Sequence, residues 1–340
     1  MESIHSDGRG VSATTPSSNR VGTALRLLVG VAALLALYYF GKFDLRALEP
    51  LVRAPWAIAG AAFFILLTLP LSALRWAIVL DVLGIGLPVG PLFRIVCISI
   101  TVNQFLLALT SGDALRGIYA WRLLRRASGR IAISIIADRA AGLLALVTLS
   151  AALIIMFRWD RVSDVPALTL LTLSLMLCIG AAVISAAVLL AVPTLLVWSL
   201  GKLQHHPKIA QFISRIHSVV TAFRLRLFAL AIVFGLSLII QGMNILAFIV
   251  IGETMHIGNI SSLDISIAAP LALVANVLPF TPGGLGIGET AFDQICRWLV
   301  PSPTSAPYAS IFFAFRAVSM AVVIPGLVSF VYQHKPRTKY

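Results

Sequence analysis

Apolar residues fall in long blocks along this chain, separated by short polar and basic intervals. Six blocks reach the roughly 20 residues that a membrane-crossing helix needs: about 22–40, 56–80, 132–157, 167–192, 227–251 and 306–331. Two further blocks, about 90–115 and 263–299, are interrupted by polar and glycine-rich sequence. The first contains NQFLLALTSGDALR (Asn103–Arg116), and the second contains NVLPFTPGGLGIGE (Asn276–Glu289). Irregular backbone at membrane depth is tolerated only where protein or a watery cavity surrounds it. The pattern therefore predicts an all-α polytopic membrane protein with about six spanning helices and two re-entrant hairpins.

Composition sharpens this reading. Of 340 residues, 59% are hydrophobic and 11% charged, against about 25% charged in ordinary soluble domains. In a soluble protein, 26 Lys and Arg against 13 Asp and Glu would suggest nucleic acid. In a membrane chain the positive-inside rule accounts for the excess, and no nucleic-acid partner is expected. The segment 1–21 reads as a disordered cytoplasmic tail, since it is small, polar and rich in Ser and Thr. The transmembrane region then covers 22–332, and 333–340 forms a second cytoplasmic tail.

Basic residues decide what the interrupted blocks do. If the N-terminus is inside, 17 Lys or Arg lie inside, among them Arg94, Arg122, Arg125, Arg126, Arg130, Lys202, Lys208 and Arg215. Six lie outside, namely Lys42, Arg46, Arg53, Arg158, Arg161 and Arg297, and Arg75, Arg139 and Arg316 lie within spans. This bookkeeping puts both termini in the cytoplasm. It works only if each interrupted block enters and leaves on one face, the first from the cytoplasm and the second from the opposite side. The order of two spans, a re-entrant segment and a third span then occurs twice, about 22–157 and 167–331, with opposite starting faces. Asn103 precedes Arg116 by the 13 positions that separate Asn276 from Glu289, and the following spans carry ADRA (Ala137–Ala140) and AFRA (Ala314–Ala317). An inverted repeat, common among secondary transporters, is expected.

Charges within the bilayer are costly and usually face a bundle interior or cavity. Arg75 beside Trp76 reads either as a snorkelling interfacial arginine or as an interior charge. Asp138, Arg139 and Arg316 lie deeper, where an internal structural ion pair competes with a role on a substrate path. Gly112, Asp113 and Arg116 follow one another in TSGDALR, with Ser111 or Asp113 as the expected cap. A half-helix N-terminus with Arg116 would suit an anionic headgroup. Gly283, Gly284 and Gly286 allow the second tip to bend sharply, and Glu289 stands just inside the next helix. Asn103, Gly112, Asp113, Arg116, Asp138, Arg139, Asn276, Gly283, Gly284, Gly286, Glu289 and Arg316 form the candidate substrate path. No catalytic residue, metal ligand set or cofactor site emerges. The six histidines lie outside the spans, and neither an HExxH nor a G-x-S-x-G element is present.

The motifs NQFLLALTSGDALR, IIADRAAGLLAL and VLPFTPGGLGIGE together resemble the flippase-like transmembrane domain of lysylphosphatidylglycerol synthases, over about residues 22 to 332. The resemblance implies a bacterial inner-membrane protein that moves or handles lipid. It places Gly112, Asp113, Arg116, Asp138, Arg139, Gly283, Gly284, Gly286 and Glu289 at signature positions. Two departures stand out: LALTSGD lacks the proline usual at the first tip, and Gly288 stands where the second often has arginine in G-x-R-E. The synthases add a soluble aminoacyl-transferase domain, which these 340 residues do not contain. A stand-alone transporter and not an enzyme is therefore expected.

The expected function is a lipid flippase, working by alternating access on a membrane lipid with an anionic headgroup. The rival is a non-transporting scaffold that docks a lipid- or glycolipid-modifying enzyme through Arg122, Arg125 and Arg126.

Overall fold

The computed structural model describes residues 35–39, 43–105, 111–124, 128–159, 164–180, 221–277, 284–300 and 306–333, together with Ala32, Ala182 and Thr281. Most of the first expected span, the second half of the 167–192 span, both tails, Arg125, Arg126 and Gly283 lie outside the described residues. No strand occurs among the described residues.

After a short 3-10 turn at Arg46–Leu48, the described helices are α1 (Glu49–Arg53), α2 (Pro55–Val82), α3 (Val89–Phe105), α4 (Ser111–Leu124) and α5 (Ser128–Phe157). Then follow α6 (Pro166–Gly180), α7 (Leu227–Met255), α8 (Ser262–Asn276), α9 (Ile287–Leu299) and α10 (Ala309–Gln333). Three stretches are long and apolar enough to cross a membrane: Pro55–Val82, Gly129–Phe157 and Leu227–Met255. Helices α3, α6 and α8, with Ala309–Ile324 of α10, are shorter apolar helices. The chain is thus a multi-pass, helical membrane protein.

Boundaries follow local chemistry. Pro55 opens α2, where a missing N–H costs nothing. Gly84, at φ +73°, turns the chain out of α2, with its N–H donating to Asp81 O and that of Ile85 to Leu80 O. Ser261 caps α8: its hydroxyl accepts from the Asp264 N–H while Asp264 accepts from the Ser261 N–H.

The three long helices pack with α2 antiparallel to both α5 and α7. At one end of the bundle Arg226 pairs with Asp81, and Arg130 donates to Leu83 O at 3.4 Å. At the other, Arg158 donates to Asp264 at 2.8 Å, and the Asp44 N–H donates to the Ser310 hydroxyl at 2.9 Å. These bonds fix how the broken stretches run. Helices α3 and α4 leave and rejoin the first end, and α8 and α9 leave and rejoin the second. Helix α3 packs on α4, and α8 on α9, so the two helical hairpins join the bundle at opposite ends.

Among the described residues the core has two main parts, beside a small third cluster of Leu37, Phe43 and Ala309. The larger joins α2, α5 and α7 to α8–α10, with Phe248, Phe292, Phe312 and Phe315 at its centre. Phe248 stacks on Phe315 at 4.0 Å between ring centroids. A smaller core of Trp76, Leu80, Leu92, Ile95 and Ile131 holds α3 and α4 against α2 and α5. The two hairpins meet the rest of the bundle through α10 as well, where the Thr101 hydroxyl donates to Val323 O at 3.0 Å.

Candidate functional site

Each hairpin turns beside a charge on the helix that follows it. In the first, α4 begins in close contact with α3. The Gly112 N–H donates to Asn103 Oδ1 at 3.0 Å, and the Ser99 hydroxyl donates to Gly112 O at 2.8 Å. A β-carbon at Gly112 would run into Ser99 O and the Asn103 side chain, so glycine is required by close approach. The described part of α4 starts at Ser111, where the sequence points to Ser111 or Asp113 as the cap, and Asn103 of the preceding helix accepts from one of its first amides.

One turn on, Arg116 is 5% exposed. Its Nη1 donates to Asp138 Oδ2 at 2.8 Å, and its guanidinium carbon lies 3.9 Å from the centre of the Trp76 ring. Trp76 Nε1 donates to the Ser134 hydroxyl at 3.1 Å, which fixes the ring plane. The other Asp138 oxygen accepts from Arg75 Nε at 2.8 Å, and Arg75 Nη1 donates to the Ser237 hydroxyl at 3.0 Å. Of the two readings of Arg75, the interior one holds. It is buried and ties α2 to α5 and α7. Arg139, adjacent to Asp138 in sequence, points elsewhere and grips Asp113 with Nε and Nη2 at 3.0 and 2.8 Å. That pair is more open, with 56% of the Arg139 side chain exposed.

The second hairpin is tighter. Glu289, fully buried, accepts from the Gly286 N–H at 2.9 Å. Its carboxylate also accepts from Arg316 Nε at 2.7 Å and Nη2 at 3.3 Å. Arg316 Nη2 donates further to Asn276 Oδ1 at 3.0 Å and Gly284 O at 3.1 Å. Gly284 (φ +71°) and Gly286 (φ +82°) take left-handed conformations, which disfavour any residue with a β-carbon. Gly288 is glycine for another reason. A β-carbon there would meet the Phe312 ring and Asn276 Oδ1.

Eleven of the twelve residues read from sequence as a substrate path are described, and they fall into three groups. Asn103 and Gly112 hold the first turn closed, Arg116 with Asp138 and Arg139 with Asp113 tie α4 to α5, and Asn276, Gly284, Gly286, Glu289 and Arg316 form one network at the second turn. Gly283 lies outside the described residues. Arg75, Trp76, Ser134 and Ser237 join the second group, around Arg116 and Asp138, through contacts between residues 58 to 162 positions apart. No local spacing could have placed them there, although Arg75 drew notice as a charge in an apolar block.

Two opposed hairpins, each bonded to a charged residue in the following helix, define a membrane-embedded helical domain with buried charge at both turns. Residues 23–326 match the lysylphosphatidylglycerol synthase TM region, and the chain belongs to that family. Neither the curated proteins nor the solved structures yielded a match. Membership makes this a membrane protein linked to lipid handling.

Proposed function

We propose that the chain is a lipid flippase of the bacterial inner membrane, with both termini cytoplasmic, which moves a lipid bearing an anionic headgroup without chemically altering it. On this reading the two hairpins are re-entrant, and the halves 22–157 and 167–331 are an inverted repeat. They would alternately open a path to each face, as secondary transporters built on such repeats do. Membrane lipids are the partners, and no metal or cofactor is required.

The observation that carries the proposal is the pairing at the two turns. Arg116 on one hairpin bonds Asp138 at 2.8 Å, and Glu289 on the other bonds Arg316 at 2.7 Å. Each pair joins a broken helix to an unbroken one inside the bundle, and the two hairpins join the bundle at opposite ends. A buried ion pair is a poor source of net stability. It suits a contact that is made in one state and exchanged in another.

The test uses purified protein in liposomes with headgroup-labelled lipids, scoring loss of label from the outer leaflet. Wild type should move an anionic lipid, and folded Glu289→Gln should not. Absence of movement across phospholipids, prenyl-linked lipids and hopanoids would reject transport and direct attention to a scaffold that docks a lipid-modifying enzyme.

A further inference from the structure

The first turn is not electrically closed. Arg75 and Arg116 share the single carboxylate of Asp138, while the neighbouring Arg139 and Asp113 balance each other. One positive charge is left over in a buried setting. The second turn differs, because there Arg316 and Glu289 match one to one.

The excess has a location. Arg116 Nε and Nη2 are both buried and have no hydrogen-bond partner among the described residues. These two nitrogens form one edge of the guanidinium fork, the edge that binds a carboxylate through two parallel bonds. Among the described residues, four other arginines turn the same edge on a carboxylate. Arg139 grips Asp113 with it at 3.0 and 2.8 Å, and Arg158 donates from both nitrogens to one oxygen, Asp264 Oδ1, at 3.0 and 2.8 Å. Arg297 holds Asp293 at 2.8 and 3.0 Å, and Arg316 holds Glu289 at 2.7 and 3.3 Å.

In Arg116 the edge is oriented but has no acceptor among the described residues. Asp138 fixes Nη1 and the Trp76 ring covers one face, so an incoming group must arrive in the guanidinium plane. A buried donor without an acceptor is costly, and a buried cation without a counter-charge more so. Both demands are met by one oxyanion of single negative charge.

We infer that Arg116 binds a monoanionic oxyanion, a phosphodiester or a carboxylate, through its Nε–Nη2 edge, and that this is where the lipid headgroup is held. The headgroup site belongs to the first half alone, and the Glu289–Arg316 network is a contact between protein groups. The anion follows from charge and donors; its identification as a lipid rests on the transport reading.

The experiment titrates the full chain, purified in a phosphate-free maltoside detergent, with short-chain phosphatidylglycerol, the matching diacylglycerol and inorganic phosphate. Bound ligand is read by native mass spectrometry and binding by thermal shift. Phosphatidylglycerol should bind and diacylglycerol should not. Arg116→Lys keeps the charge beside Asp138 but loses the fork, and should weaken binding about tenfold or more. Arg116→Gln should abolish it. Should Arg116→Gln fail to fold, the lysine variant still decides. Phosphate that competes with the lipid at Arg116 identifies a general oxyanion site, and phosphate that does not identifies a headgroup site held by its acyl chains as well. Binding unchanged in Arg116→Lys would overturn the inference. Wild-type transport with anion binding indifferent to Arg116 would sink this inference and leave the transporter standing. Binding through Arg116 without any lipid movement would do the reverse.

Discussion

Arg75 and Asp138 meet at 2.8 Å across 63 residues of sequence, joining α2 to α5 at a point where α7 adds a hydroxyl from Ser237. Asp138 thereby holds two arginines, one from a long helix and one from a hairpin. Among the described residues it is the acidic side chain that α2 and α4 share. Asp138→Asn would leave both guanidinium groups short of a charge and should cost about 3–5 kcal/mol, read as a lowered unfolding midpoint in detergent. A change under about 1 kcal/mol would mean that other groups carry the balance.

The Arg139–Asp113 pair should behave differently. It is bidentate but half exposed, and pairs of that kind contribute about 0–1 kcal/mol. Arg139→Ala is therefore expected to insert and fold with a stability loss no greater than that, and to lose transport. Transport at the wild-type rate in the folded variant would remove Arg139 from the lipid path.

Backbone conformation gives a sharper test at the second hairpin. Gly284→Ala must place a β-carbon at φ +71° and against Asn276 Oδ1, so it should cost at least about 1–2 kcal/mol. Gly86→Ala is the control. A β-carbon there meets nothing within 4 Å, and the change should stay within about 0.5 kcal/mol. Equal unfolding midpoints for the two variants would contradict the geometry of the turn.

Exchanging charges should not rescue the second network. Glu289 accepts from the Gly286 N–H as well as from Arg316, and Arg316 donates to Asn276 and Gly284 as well as to Glu289. Glu289→Arg with Arg316→Glu restores opposite charges but sets donor against donor and acceptor against acceptor. The double variant should recover less than about 1 kcal/mol of the stability lost in the single ones. Full recovery would show that charge alone matters there.

Much of this architecture could be read from the chain, because the interruptions in apolar sequence carry their own punctuation. Gly112, and the glycines of TPGGLGIG, mark where helices break, and the deep charges Asp138 and Arg316 mark what lies beside the breaks. Sequence spacing could not pair them. One of the first amides of α4 is bonded by Asn103, nine residues back across the break, a partner to which no local capping rule points. The first hairpin's second helix also runs on to Leu124, past the apolar block that ended near 115, because the polar face of YAWRLL is no bar to a helix at the end of a bundle. Arg75 has its partners on α5 and α7, which only folding brings together.

Gly288 and Phe312 occupy one space between them, since a side chain on the first would have to lie where the ring of the second now packs. That exclusion orders the routes by which such proteins can diverge. An arginine of the kind found in the related G-x-R-E pattern cannot enter this chain first. Its arrival must follow a change at position 312 that clears the space, and the reverse order passes through an intermediate with a disrupted turn. The two positions are therefore coupled, and a side chain at 288 requires a smaller one at 312.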